Sequence, residues 1–154
     1  MSAPAAPLAV PLPPDAVRIA INPITEPFWE AAKNNRLVAQ QCSDCGSFRM
    51  PPTPFCPHCA STSVGWPELS GKATVFSFAV VHGYPGIRDI TLVPAVLDID
   101  GAPGARLVSP LIDVDPSAVH IGMTVQVDFV PISDGWQLPV FRPAEQSHPE
   151  SAAQ

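Results

Sequence analysis

Apolar and polar positions alternate with a period of two through most of the second half of the chain. In Thr124-Val125-Gln126-Val127-Asp128-Phe129-Val130, Val125, Val127 and Phe129 fall on one face, and Gln126 and Asp128 on the other. That is the pattern of a half-buried strand. Thr74–Val81, Val93–Ile99, Arg106–Ile112 and Trp136–Phe141 are similarly rich in β-branched and aromatic residues. Tyr84-Pro85-Gly86, Gly101 to Gly104, Asp115 to Gly122 and Asp134-Gly135 punctuate them. Pro94, Pro110, Pro131 and Pro139 lie in or beside strands, which places edges or bulges there. Five short strands with no room for long helices predict a small barrel, and the five-stranded Greek-key OB barrel is the natural candidate.

The first half follows a different rule. Thr25 to Asn35 predicts a short helix: Thr25 or Glu26 caps it, Pro27 suits its first turn, and Asn34 or Asn35 accepts a left-handed stop. Phe28 and Trp29 are adjacent and cannot share one narrow stripe. Either one packs on the body and the other is left for a partner, or both are buried. Arg36–Gln41 reads as a strand leading into Cys42-Ser43-Asp44-Cys45 and, ten residues on, Cys56-Pro57-His58-Cys59.

These are the chain's four cysteines. A two-residue gap turns both sulfurs of a pair toward one point, so two pairs supply the tetrahedral thiolate set that zinc prefers. A closed four-sulfur site leaves no position for water, so the expected role is structural. Disulfides need an oxidising compartment, and a redox dithiol ordinarily brings one such pair, not two. Iron in a rubredoxin-like site uses the same ligands and stays open as the alternative. His58 lies inside the second pair and reads as a bystander.

The sequence therefore predicts a mainly β protein in four stretches: a Pro/Ala-rich disordered tail over 1–21, a helix with a rubredoxin-like zinc ribbon over 22–70, an OB-fold barrel over 71–143, and a polar tail over 144–154. Apolar residues make up 46% of the 154 and charged ones 14%, which suits a globular chain. No apolar run approaches the roughly 18 residues of a membrane span. The start lacks the positive charge of a secretory signal. A cytoplasmic protein with no membrane association is expected.

Catalytic motifs are missing. There is no Gly-x-Ser-x-Gly elbow, phosphate loop or dinucleotide fingerprint, and the metal would take every thiol. His148 sits in the tail and His120 in a linker; His82 closes the first barrel strand beside the loop Gly83–Thr91. In that loop Tyr84, Ile87 and Arg88 offer a ring, an apolar side chain and a cation within five residues, a candidate contact surface. Its other reading is an ordinary solvent loop, as His82 can equally be structural.

The segments Pro27-Phe28-Trp29-Glu30, Arg36-Leu37-Val38, Cys42-x-x-Cys45-Gly46, Cys56-Pro57-His58-Cys59 and Ser70-Gly71-Lys72-Ala73-Thr74-Val75 stand in a characteristic order. Val80-Val81-His82, Ile121-Gly122-Met123-Thr124-Val125 and Leu138-Pro139-Val140-Phe141-Arg142-Pro143 continue it. In order and spacing these segments, covering about residues 26–143, resemble a family of zinc-ribbon/OB-fold proteins of acyl-CoA metabolism. The resemblance implies a non-catalytic companion of a thiolase-like enzyme, such as an acyl transferase or a retro-aldolase that shortens sterol side chains. It implies a hetero-oligomer in which the barrel helps shape the acyl-CoA site and the partner performs the chemistry. Tyr84, Arg88, His82, Phe28 and Trp29 are then the candidate contacts.

Zinc ribbons and OB barrels also bind nucleic acids, so fold alone does not choose. Charge does. From Gly71 to Phe141 three basic residues (Lys72, Arg88, Arg106) face seven acidic ones (Asp89, Asp98, Asp100, Asp113, Asp115, Asp128, Asp134), and the whole chain carries −6. Four metal-bound thiolates make it more negative still, whereas nucleic-acid affinity comes largely from Lys and Arg on phosphates. A stand-alone enzyme is a third reading, without a visible catalytic set. We expect no binding to a single strand of about 20 bases at physiological salt. Fluorescence anisotropy checks this, and salt-sensitive micromolar binding would promote the nucleic-acid reading.

Overall fold

The computed structural model describes residues 7–145. Helix α1 (Glu26–Lys33) begins where the Asn22 carboxamide oxygen accepts from the amides of Ile24 and Thr25. Thr25 occupies the cap position without using its side chain. The helix ends at Asn35, whose φ of 57° is left-handed. There the amide of Arg36 bonds the Ala31 carbonyl and that of Asn35 bonds Ala32, a Schellman closure. Phe28, Ala31 and Ala32 form its buried face, while Trp29 is half-buried and meets Phe28 edge to face at 5.1 Å. The aromatic pair thus divides between core and surface.

Three very short strands follow: β1 (Gln40–Cys42), β2 (Phe48–Arg49) and β3 (Val64–Gly65), in the order β2-β1-β3. The strand expected at Arg36–Gln41 is displaced toward the cysteines, with Val38 making only an isolated bridge to Glu68.

The barrel uses β4 (Lys72–Phe78), β6 (Ile87–Ile99), β7 (Arg106–Leu111), β8 (Thr124–Pro131) and β9 (Gln137–Pro143). Its order β4-β8-β9-β7-β6 closes through β4–β6, and β7 runs parallel to β9 in an otherwise antiparallel ring. Closure removes the sheet edges that would otherwise template aggregation. β8 behaves as its alternation predicts, with Val125 fully buried and Val127 and Phe129 packed on the core.

Two expectations are corrected. Gly83–Thr91 is not a loop: β5 (Val81–Tyr84) pairs with the start of β6, and Pro85-Gly86 turns the hairpin. β6 therefore runs thirteen residues, bent where Asp89 takes a φ of 58°. Nor do residues 7–21 hang free as a tail. Ala9 is fully buried, its amide bonds the Val114 carbonyl and its carbonyl accepts from Asp113; Val10 bonds Thr91, and the Ser133 hydroxyl donates to Pro14. Proline suits such a strap, because a chain lying outside a closed sheet needs few donors. Residues 1–6 and 146–154, the outer parts of the two expected tails, lie outside the described residues.

One core serves both halves. Phe28, Ala31, Leu37, Val38 and Ala39 pack in the same cluster as Val75, Leu97, Leu111, Val125 and Phe141. Where ribbon passes into barrel, Gly71 has a φ of +84°, its carbonyl accepts from the Val127 amide, and a Cβ there would collide with the Val127 side chain. Gly71→Ala should therefore cost at least about 2 kcal/mol, from left-handed strain plus overpacking. Urea denaturation checks this; a loss under about 0.5 kcal/mol would show that the junction relaxes freely.

Candidate metal centre and contact surface

Each cysteine pair is built by the same hydrogen-bond frame. In the first, the Gly46 amide bonds the Cys42 carbonyl and the Cys42 amide bonds Ser47; in the second, Ala60 bonds Cys56 and Cys56 bonds Ser61. The fourth residue after each leading cysteine is left-handed, Gly46 at φ 78° and Ala60 at φ 61°. Ser61 donates to the Asp44 carboxylate and the Ser43 amide bonds Ser63, tying the two turns together.

All four sulfurs lie within 4.8 Å of one another, with Cys42 Sγ 3.6 Å from Cys59 Sγ and Cys45 Sγ 3.5 Å from Cys56 Sγ. A tetrahedron with Zn–S bonds of about 2.3 Å has edges of about 3.8 Å, so the set fits a single tetrahedral ion. Cys42 and Cys56 are buried, Cys45 and Cys59 exposed.

Electrostatics agree with the geometry. The Cys45 amide, helped by that of Asp44, lowers the Cys42 thiol against a burial penalty. Burial pushes Cys56 up, but the amides of His58 and Cys59 more than offset it and hold it at about 6. Cys59 behaves oppositely: the Ser61 amide favours its thiolate, yet burial and hydrogen bonds with Cys42, Cys45 and Cys56 push it up to about 12. Without a cation the Cys59 thiol resists ionisation; a cation at the centre would favour its thiolate. His58 itself is exposed and contributes its backbone amide.

The other candidate residues lie elsewhere. His82, Tyr84 and Arg88 line an open cleft of about 840 Å³ on the β5–β6 hairpin, with Pro7 of the strap and Asp89. Tyr84 and Arg88 are exposed, and His82 Nδ1 lies 3.4 Å from Thr91 Oγ1. Arg88 forms no ion pair among the described residues, whereas Arg36, Arg106 and Arg142 pair with Glu68, Asp98, and both Asp113 and Asp128. Phe28 and Trp29 do not line that cleft; they line a separate apolar hollow of about 330 Å³ with Met50, Pro51, Pro52 and Val108.

Sequence reasoning missed a second hollow. Leu12, Val17, Val81, Leu92, Pro94 and Leu138 line about 260 Å³ on the other side of Val108. Val108, on the outer face of β7, is 70% exposed. The available signal was its place in alternation, opposite Leu107 and Ser109, which marks it as an apolar residue on an outward face.

Residues 29–65 match the family described as "ChsH2, rubredoxin-like zinc ribbon domain", and residues 66–130 match "ChsH2, C-terminal OB-fold domain". A solved structure named "Ltp2-ChsH2(DUF35) aldolase" superposes with a TM-score of 0.74 at 38% identity, covering 82% of this chain and 98% of that one. The chain belongs to the ChsH2/DUF35 family of zinc-ribbon/OB-fold proteins. A DUF35 domain-containing scaffold protein of Methanocaldococcus jannaschii is 32% identical, over 60% of this chain and 67% of that protein. The 3-oxo-4,17-pregnadiene-20-carboxyl-CoA hydratase alpha subunit of Mycobacterium tuberculosis is 35% identical over 87% of this chain but only 42% of its own length. This DUF35 chain thus spans about two-fifths of that longer relative. Among its described residues no helix is long and apolar enough to cross a membrane.

The purified DUF35 protein should hold about one zinc per chain by elemental analysis, and Cys45→Ala should lose it and melt at lower temperature. Metal binding displaces the proton that Cys59 otherwise holds, so zinc affinity should rise with pH and fall on acidification. Four titratable thiols with an unchanged melting curve would remove the metal from the account.

Proposed function

We propose that this chain is a non-catalytic subunit that docks on a thiolase-like enzyme and helps form its acyl-CoA site. The observation that carries the reading is the apolar face centred on Val108. Strap, α1, ribbon loop and barrel all contribute to it, and among the described residues Thr25, Ser109 and Arg106 are the only polar ones lining its two hollows. Arg106 is already matched by Asp98, its Nε 2.8 Å from the carboxylate. A face both exposed and nearly uncharged fits a partner whose own surface there is apolar.

The family supports the same reading, since relatives carry the names scaffold protein, hydratase alpha subunit and Ltp2-ChsH2(DUF35) aldolase. The reaction class assigned to the partner is acyl transfer or retro-aldol cleavage of a CoA thioester such as a steroid side chain. This chain's part is positional: the β5–β6 hairpin excludes water and holds the ligand, with Arg88 toward CoA phosphates and Tyr84 packed on the ligand or the partner. Zinc holds the ribbon and takes no part in the chemistry.

Alone, the chain should turn over no acyl-CoA; mixed with its thiolase-like partner it should form a complex on which activity depends. Val108→Asp should weaken that complex by at least about 2 kcal/mol, roughly thirtyfold, with zinc content and melting unchanged. Arg88→Ala and Tyr84→Ala should leave fold and zinc intact and raise the acyl-CoA KM by about tenfold, the loss of one charged hydrogen bond or aromatic contact. Isothermal titration and steady-state kinetics read the two effects separately. Activity of the isolated chain would overturn the companion reading, and wild-type KM in both hairpin variants would reduce the hairpin to a connector.

A further inference from the structure

Arg49 is the one arginine of the ribbon sheet, and it is buried at 5% exposure. Its Nε donates to Gln40 Oε1 at 2.9 Å, while Nη1 and Nη2 are buried and donate to no acceptor among the described residues. Gln40 has nothing more to give. Its oxygen also accepts from the Thr53 amide at 2.8 Å, and its Nε2 donates to the Thr53 carbonyl at 3.0 Å. No carboxylate among the described residues pairs with Arg49, because the ion pairs there all belong to Arg36, Arg106 and Arg142. A guanidinium in this state is costly unless a negative charge stands near it.

The register supplies that charge. Arg49 pairs with Gln40 across β1–β2, and Gln41 pairs with Phe48. Side chains alternate along a strand, so Gln40 and Cys42 share one face of β1, both buried, with Gln41 less so between them. Arg49 therefore lies on the same face as the ligand Cys42, one diagonal step away, a Cα spacing of about 7–8 Å. Four thiolates around a divalent ion leave a net charge of two minus within the ribbon.

We propose that Arg49 is the built-in counter-cation of the metal centre, a positioning and tuning residue that favours the metallated state. This rests on the metal-centre reading above. The cation lowers the electrostatic cost of a doubly negative centre in a buried place, and the centre in turn compensates a guanidinium that is otherwise unmatched. The Gln40–Thr53 bonds fix the carboxamide to which Arg49 Nε donates, and Thr53 belongs to the segment between the two cysteine pairs.

The test uses the full chain with zinc in competition against a chromophoric chelator. Wild type should bind one zinc; failure there would remove the metal centre and this proposal together. With wild type bound, Arg49→Met should lower zinc affinity by about ten- to a hundredfold, the usual effect of losing an outer partner of a metal site. The metal-stripped variant should be no less stable than metal-stripped wild type, since an unmatched buried charge has been removed. Arg49→Lys, which keeps the charge and gives up the fork, should retain most of the affinity. Loading with iron gives a readout that packing does not move: the cation favours the more negative ferrous centre, so Arg49→Met should lower the one-electron midpoint potential. Unchanged affinity and potential in Arg49→Met would overturn the proposal. So would equal losses in the Met and Lys variants, which would assign Arg49 to shape rather than charge.

Discussion

Four sulfurs within 4.8 Å of each other impose the constraint on which this chain is arranged. Thiolates 3.6 Å apart, the spacing of Cys42 Sγ and Cys59 Sγ, repel one another, and a set of four multiplies that repulsion. Backbone amides draw Cys42 and Cys56 toward the thiolate while Cys59 is driven the other way, so the metal-free cluster is divided against itself. A divalent ion at the centre adds four cation–thiolate attractions at about 2.3 Å, which outweigh that mutual repulsion. Strands of two or three residues have almost no stability of their own, so an ion at the four sulfurs would supply much of the ribbon's stability.

The order imposed there does not stop at the ribbon. β1 carries Cys42 and continues backward into Ala39, Val38 and Leu37, which enter the common core. Val38 bridges Glu68 and the Leu69 amide bonds Leu37, just before Gly71 passes the chain to β4. Helix α1, too short to stand alone, closes the same core with Phe28 and Ala31. The two halves differ in what specifies them, metal geometry in one and period-two alternation in the other. They are nonetheless packed as one body.

That difference explains how much was legible beforehand. Cysteine spacing is a local signal with a single geometric solution, and a closed barrel has one inward face, so alternation in Val125-Gln126-Val127 names it directly. The strap was not legible, because Ala9 is held by Val114 and Asp113, about a hundred residues away, and nothing local marks a proline-rich segment as docked. The hairpin was obscured by Arg88-Asp89, a polar pair that breaks alternation; the left-handed Asp89 absorbs the break as a bend. Arg49 gave no warning beyond standing between Phe48 and Met50, two residues of the opposite face. Buried charge is set by tertiary partners, and sequence patterning assigns charge to solvent by default.

Metal and candidate docking face are also connected through the chain. Met50, Pro51 and Pro52 stand between the two cysteine pairs and form one wall of the hollow beside Val108; Trp29 and Phe28 of α1 form another. The barrel supplies only Arg106, Leu107 and Val108 to that hollow. Its shape therefore depends on the ribbon loop being held at both ends, by Cys45 on one side and Cys56 on the other. The second hollow, walled by the strap and by β5, β6, β7 and β9, has no such dependence. On the proposed reading, a structural ion with no open coordination position would still bear on function, by fixing half of the surface that a partner would meet and leaving the other half to the barrel.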